Sequence, residues 1–163
     1  MAIISASAQF ILRGLDFSSL RNSDAELDNN IYETFKGKKY EDVLVLRNDD
    51  DSGANFAGKG FRLDSNDNAL GGRVQVVQGV GPGDNNLFDI RGLDIGLKTA
   101  DKAIGTRSFA DDLKIWKNQF SGKDKMVLSQ DNDNMRGFGG NDVMKGRGGS
   151  DRLFGDGGND ALY

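Results

Sequence analysis

Gly137-Phe138-Gly139-Gly140-Asn141-Asp142-Val143-Met144-Lys145 is followed by Gly146-Arg147-Gly148-Gly149-Ser150-Asp151-Arg152-Leu153-Phe154 and then by Gly155-Asp156-Gly157-Gly158-Asn159-Asp160-Ala161-Leu162-Tyr163. Each nonapeptide reads G-x-G-G-[NS]-D-x-[LM]-x, and nine of these 27 residues are Gly. The same register extends backwards through two weaker copies. Leu128 to Arg136 keeps Asn132, Asp133 and Met135, and Gln119 to Val127 keeps Gly122, Asp124 and Met126. The sixth position is therefore Asp124, Asp133, Asp142, Asp151 and Asp160, and the eighth is Met126, Met135, Met144, Leu153 and Leu162. Turn formers followed by an x-apolar-x triplet predict a short strand whose middle side chain points inward. A flexible Gly-rich linker has no reason to place Met or Leu at every ninth residue.

Composition narrows the chemistry. The 163 residues include no Cys and no His, which excludes disulfides, thiolate or imidazole zinc sites, and His-dependent triads. Of the 25 acidic residues only Glu26, Glu33 and Glu41 are Glu, leaving 22 Asp. An Asp and Gly excess with a single Pro, Pro82, points to turn-rich β structure. The net charge of -4 argues against a nucleic-acid or anionic-membrane partner. Apolar runs fall well short of the roughly 20 residues of a membrane span. Recurrent Asp oxygens, with glycines leaving carbonyl oxygens free to turn inward, form a hard oxygen donor set that selects Ca²⁺.

The nonapeptides resemble the RTX, or hemolysin-type, calcium-binding repeats, G-G-x-G-x-D-x-U-x. The resemblance covers residues 119–163 and implies a parallel β-roll in which repeats n and n+2 stack on one side, with ions between their turns. It implies that Asp124 with Asp142, Asp142 with Asp160, and Asp133 with Asp151 share about three Ca²⁺ ions. Main-chain ligands would come from the turns, at Gly137, Gly139, Gly140, Gly146, Gly148, Gly149 and Gly158. The second position departs from the family, holding Phe138, Arg147 and Asp156 in place of Gly. This is tolerated if the backbone there needs no positive φ. Gln119 and Leu128 at position one and Asp131 at position four also depart from it. The resemblance further implies a secreted, extracellular bacterial protein exported by type I secretion without a cleaved N-terminal signal. The array reaches Tyr163 at the ninth position of a repeat, which reads as a fragment of a longer chain.

The expected fold is all-β. Residues 1–105 are read as an antiparallel β domain, a meander or sandwich, from the runs Val43 to Leu46, Phe61 to Leu63 and Val74 to Val77 between turn clusters. Ser23 and Glu26 could open a helix, but Asp28-Asn29-Asn30 weakens it and Ile31 to Phe35 reads as a strand. Residues 106–120 are read as one linking helix, capped by Ser108, with Phe109, Leu113, Trp116 and Phe120 on one face closing the N-terminal end of the roll of residues 121–163. Asp64-Ser65-Asn66-Asp67-Asn68 begins like an EF-hand loop, but Ala69 and Gln75 stand where Gly and a bidentate Glu belong, so it reads as a hairpin turn. Asp49-Asp50-Asp51 could also hold an ion, but it reads as a solvated acidic loop.

The functional expectation is a non-enzymatic, secreted calcium-binding protein or module. The alternative is the leading segment of a polysaccharide-active enzyme or an adhesin, in which the roll serves folding and secretion. Tyr32, Tyr40 and Phe56 would then be candidate platforms for an extracellular glycan, although each also suits a core. No catalytic residue is nominated.

Overall fold

A computed structural model describes residues 1–6, 20, 23–29, 34–35 and 38–163. Of the strand read from Ile31 to Phe35, residues 31–33 lie outside these residues, as does Tyr32 as a platform. The first strands are β1 (Ile3–Ala6), β2 (Asp24–Asn29), β3 (Thr34–Phe35) and β4 (Lys38–Lys39). Four longer ones follow, β5 (Asp42–Arg47), β6 (Gly53–Leu63), β7 (Ala69–Gly81) and β8 (Asn85–Gly96). Helices α1 (Leu97–Ile104) and α2 (Phe109–Gln119) lead to five short strands. These are β9 (Lys125–Val127), β10 (Asn134–Arg136), β11 (Val143–Lys145), β12 (Arg152–Phe154) and β13 (Ala161–Leu162).

The protein is mostly β and is built on one large mixed sheet of order β13-β11-β9-β1-β8-β7-β6-β5-β2. From β5 to β8 it is an antiparallel meander, as alternating β-branched runs between tight turns favour. The β6–β7 turn is the Asp64 loop, where the Asp64 carboxylate accepts from the main-chain N–H groups of Asn66 and Asn68. It is a self-satisfied Asx-type hairpin turn. Residues Asp24–Asn29 form a strand paired with β5 and not a helix, and the Ser23 hydroxyl donates to Asn48.

The all-β expectation with one linking helix is corrected by α1, which precedes α2. Its buried residues are Leu97, Ala100 and Ala103, a stripe mostly of small side chains, and its N-cap, Gly96, offers no side-chain acceptor. Helix α2 starts where Ser108 accepts from the Ala110 N–H, with Asp111 and Asp112 in its positively polarised first turn. Trp116 and Phe120 are fully buried and stack with ring centroids 5.8 Å apart. They share one apolar core with Ile4, Ile90, Leu97, Met126, Met135 and Met144, whereas Phe109 and Leu113 are half-buried.

Candidate metal centre

Every ninth-residue strand begins just after an Asp, and alternate strands pair in parallel. Strand β9 pairs with β11, β11 with β13, and β10 with β12. Met126, Met144 and Leu162 therefore lie in one row, and Met135 and Leu153 in another. The three Met side chains are fully buried, Leu153 is half-buried and Leu162 is exposed. On the outer faces, position nine forms cross-rung pairs, with Lys145 over the Tyr163 ring and Arg136 over the Phe154 ring.

Parallel pairing at an eighteen-residue spacing turns the sixth-position Asp residues into ladders. Asp142 Oδ1 accepts from the Asp124 N–H at 2.9 Å, and Asp160 Oδ1 from the Asp142 N–H at 2.9 Å. On the other side Asp151 Oδ1 accepts from the Asp133 N–H at 2.9 Å. Asp124 Oδ1 accepts from the Ala2 N–H. Position five adds a parallel set, in which Asn141 and Asn132 accept from the N–H groups of Asn159 and Ser150. One carboxylate oxygen per Asp is thus committed to main chain.

The second oxygens differ between the two sides. Asp124, Asp133 and Asp142 are 2%, 2% and 1% exposed. Oδ2 of Asp124 and Oδ2 of Asp142 are buried without a hydrogen-bond partner. Asp133 is instead satisfied locally, its carboxylate accepting from the Ser129 N–H and hydroxyl. Burial pushes the Asp124 carboxyl above its usual range, against the opposing effect of the Ala2 N–H. Burial also raises Asp142, the Asp124 N–H opposing it and the neighbouring Asp124 and Asp160 carboxylates adding to it. An anion buried with half its acceptor capacity unmet is destabilising unless a cation or proton compensates.

The glycines divide by role. At position one, a Cβ on Gly137, Gly146 or Gly155 would overlap Oδ2 of Asp142, Asp151 or Asp160 in the same repeat. At position four, Gly140, Gly149 and Gly158 have φ of 118°, 93° and 123°, and a Cβ would run into the carbonyl of the rung below. At position three, packing does not account for glycine at Gly139 or Gly157. A Cβ there would lie 4.0 Å from the carbonyl oxygens of Ser121 and Gly157, or 3.7 Å from that of Phe138. The space beside them is walled by carbonyl oxygen.

Position two corrects the sequence expectation. Phe138, Arg147 and Asp156 have φ of 67°, 76° and 68°, the left-handed region, so the backbone does require there what Gly would supply freely. Asp156 is held in place by Arg136, whose guanidinium Nε donates at 2.9 Å to Oδ2 and which keeps that carboxyl below its usual range. Asp156 also accepts from the Phe138 N–H at 3.2 Å.

Asp124, Asp142 and Asp160 are brought together on one side, and Asp133 with Asp151 on the other. Among the described residues no group of three or more acidic side chains is placed to hold a metal ion. The orphaned buried carboxylate oxygens and the neighbouring turn carbonyls are the donor types that a hard divalent cation takes, six to eight oxygens at a time. Sequence reasoning missed Ser129, a serine in a degenerate copy, and the contribution of Ala2. Tyr40 and Phe56 are buried, which removes them as glycan platforms. No family model, curated protein or solved structure matches the chain.

Proposed function

We propose that the protein is a calcium-binding protein whose residues 121–163 form an RTX-type parallel β-roll that orders on binding Ca²⁺. The orphaned, buried Oδ2 atoms of Asp124 and Asp142 carry this reading. They supply two anionic donors one rung apart. Main-chain carbonyls of the turns, among Gly137, Gly139, Gly140, Gly146, Gly148, Gly149 and Gly158, would complete the shells. Asp160 extends the series beyond Asp142, and Asp133 with Asp151 would hold an ion on the opposite side. Bound Ca²⁺ supplies positive charge that offsets carboxylate repulsion and burial, and the role assigned is binding and folding, with no catalytic residue.

Extracellular-type sites have dissociation constants of about 10⁻⁴ to 10⁻³ M. Ion at ten to thirty times that level adds about 1.5 to 2 kcal/mol per site by mass action. About three sites then contribute on the order of 5 kcal/mol, comparable with the whole stability of a small domain. Such a protein stays loosely folded where calcium is scarce and orders where it is abundant, which suits a secreted, extracellular bacterial protein exported by a type I system. Titration calorimetry tests the reading. Ca²⁺ should bind with millimolar or submillimolar affinity, Mg²⁺ far more weakly, and Asp124→Asn/Asp142→Asn should lose the ion between them. Absence of calcium heat, with circular dichroism unchanged by chelator, contradicts it.

A further inference from the structure

We infer that strand β1, from the opposite end of the chain, is the founding rung of the β9-β11-β13 stack, so that ion loading of the stack and closure of the nine-stranded sheet are one cooperative event. This rests on the calcium reading for the ion and on geometry alone for the rung.

The register and the main-chain bonds of the stack repeat at β1. Strand β1 pairs with β9 in parallel, in the register Ile3 with Lys125, Ile4 with Met126 and Ser5 with Val127. Strand β9 pairs with β11 in the same way, Met126 with Met144. Ile4 therefore occupies the row of eighth-position side chains, and like Met126 and Met144 it is fully buried. The main-chain bonds match too. The Lys125 N–H donates to the Ala2 carbonyl at 3.1 Å, as Val143 does to Asp124 at 2.9 Å and Ala161 to Asp142 at 2.8 Å. Ala2 also donates its N–H to Asp124, as Asp124 donates to Asp142 and Asp142 to Asp160. Ala2 thus stands in the Asp slot and Ile4 in the Met slot, without a carboxylate or a turn glycine.

The other edge of β1 belongs to the meander. Ile4 faces Ile90 in the antiparallel β1–β8 pair, and Ile90 is fully buried in the same core. One four-residue strand therefore closes the meander on one side and templates the stack on the other. In the described sheet the stack has no other strand neighbour in the meander. An ion that holds Asp124 and Asp142 in place also fixes the strand against which β1 lies. Main-chain bonds on both edges of β1 then open together or not at all.

Residue-resolved hydrogen exchange on the full chain tests this, in wild type, Ile4→Ala and Ala2→Pro, across a Ca²⁺ titration. The amides of Ile4, on the β9 edge, and of Arg91, opposite Ile3 on the β8 edge, should gain protection at the same ion midpoint as those of Met126 and Met144. Ile4→Ala should move that midpoint upward and lower β9 and β11 protection by about tenfold or more. Should Ile4→Ala fail to fold, Ala2→Pro removes the N–H that Asp124 accepts while keeping Ile4 in its row, and should lower β9 protection while β6–β7 amides stay unchanged. Arg91 indifferent to an ion that protects Met126 and Met144 overturns the coupling, as does β9 protection unchanged in the variants. A stack indifferent to calcium defeats the calcium reading instead. The rung is then decided in ion-free protein, where loss of β9 protection in the variants supports it and unchanged protection overturns it.

Discussion

Asp142 sits in the middle of its ladder, accepting from the N–H of Asp124 and donating its own to Asp160. Its Oδ1 makes a structural bond while its Oδ2 is buried and unmet. Asn at this position keeps an acceptor and removes the charge. Asp142→Asn should therefore stabilise the ion-free protein and weaken its response to calcium, an inversion that chemical denaturation with and without chelator would read. Because the folded carboxyls of Asp124 and Asp142 are raised, the folded state holds protons more tightly than the unfolded chain. Ion-free stability should fall as pH climbs from the ordinary carboxylate range through these raised values, and level off above them. Saturating calcium should flatten or reverse that trend, as thermal melts across pH would reveal. Gly158→Ala places a Cβ against the Gly140 carbonyl at a φ of 123°, and should cost about 1–3 kcal/mol in a denaturant melt.

At the scale of elements, α2 places Trp116 and Phe120 in the core that also holds the Met rows. Trp116→Ala should cost about 3–5 kcal/mol and shift the calcium midpoint of folding upward, since the lost packing lies against the repeats. Ser108→Ala, which removes only the cap, should cost about 0.5–2 kcal/mol. This helix was legible because Ser108, the Asp pair and the aromatic spacing all act locally. Helix α1 was not, because Ala100 and Ala103 give a weak apolar signal and Gly96 offers no cap. The short strands after each Asp were legible for the opposite reason. Nine-residue periodicity places one inward side chain per rung, and Met126, Met135 and Met144 are each buried as that requires.

Across the whole molecule, the antiparallel meander shares one sheet with three of the parallel short strands, β9, β11 and β13, and among the described residues β1 alone joins the two parts, while β10 and β12 pair in a separate sheet. Nothing in Ala2-Ile3-Ile4-Ser5 announces this, because the segment copies the backbone of a repeat and not its side-chain signature. The left-handed backbone at Phe138, Arg147 and Asp156 was hidden likewise, since non-glycine residues there mask the requirement. At the site, the Asp pairing on two sides follows from the period alone. The division of labour between Oδ1 and Oδ2, and the satisfaction of Asp133 by Ser129, depend on which atoms meet across eighteen residues or within a turn. On the calcium reading proposed above, the burial of the Asp124 and Asp142 carboxylates is offset by the bound ion. Denaturation of wild type and Asp142→Asn, each with excess chelator and with saturating calcium, tests it most directly. The expected result is a large calcium stabilisation of wild type that shrinks in the variant, with the variant the more stable of the two in chelator; equal calcium responses, or a variant weaker than wild type in both conditions, would contradict it.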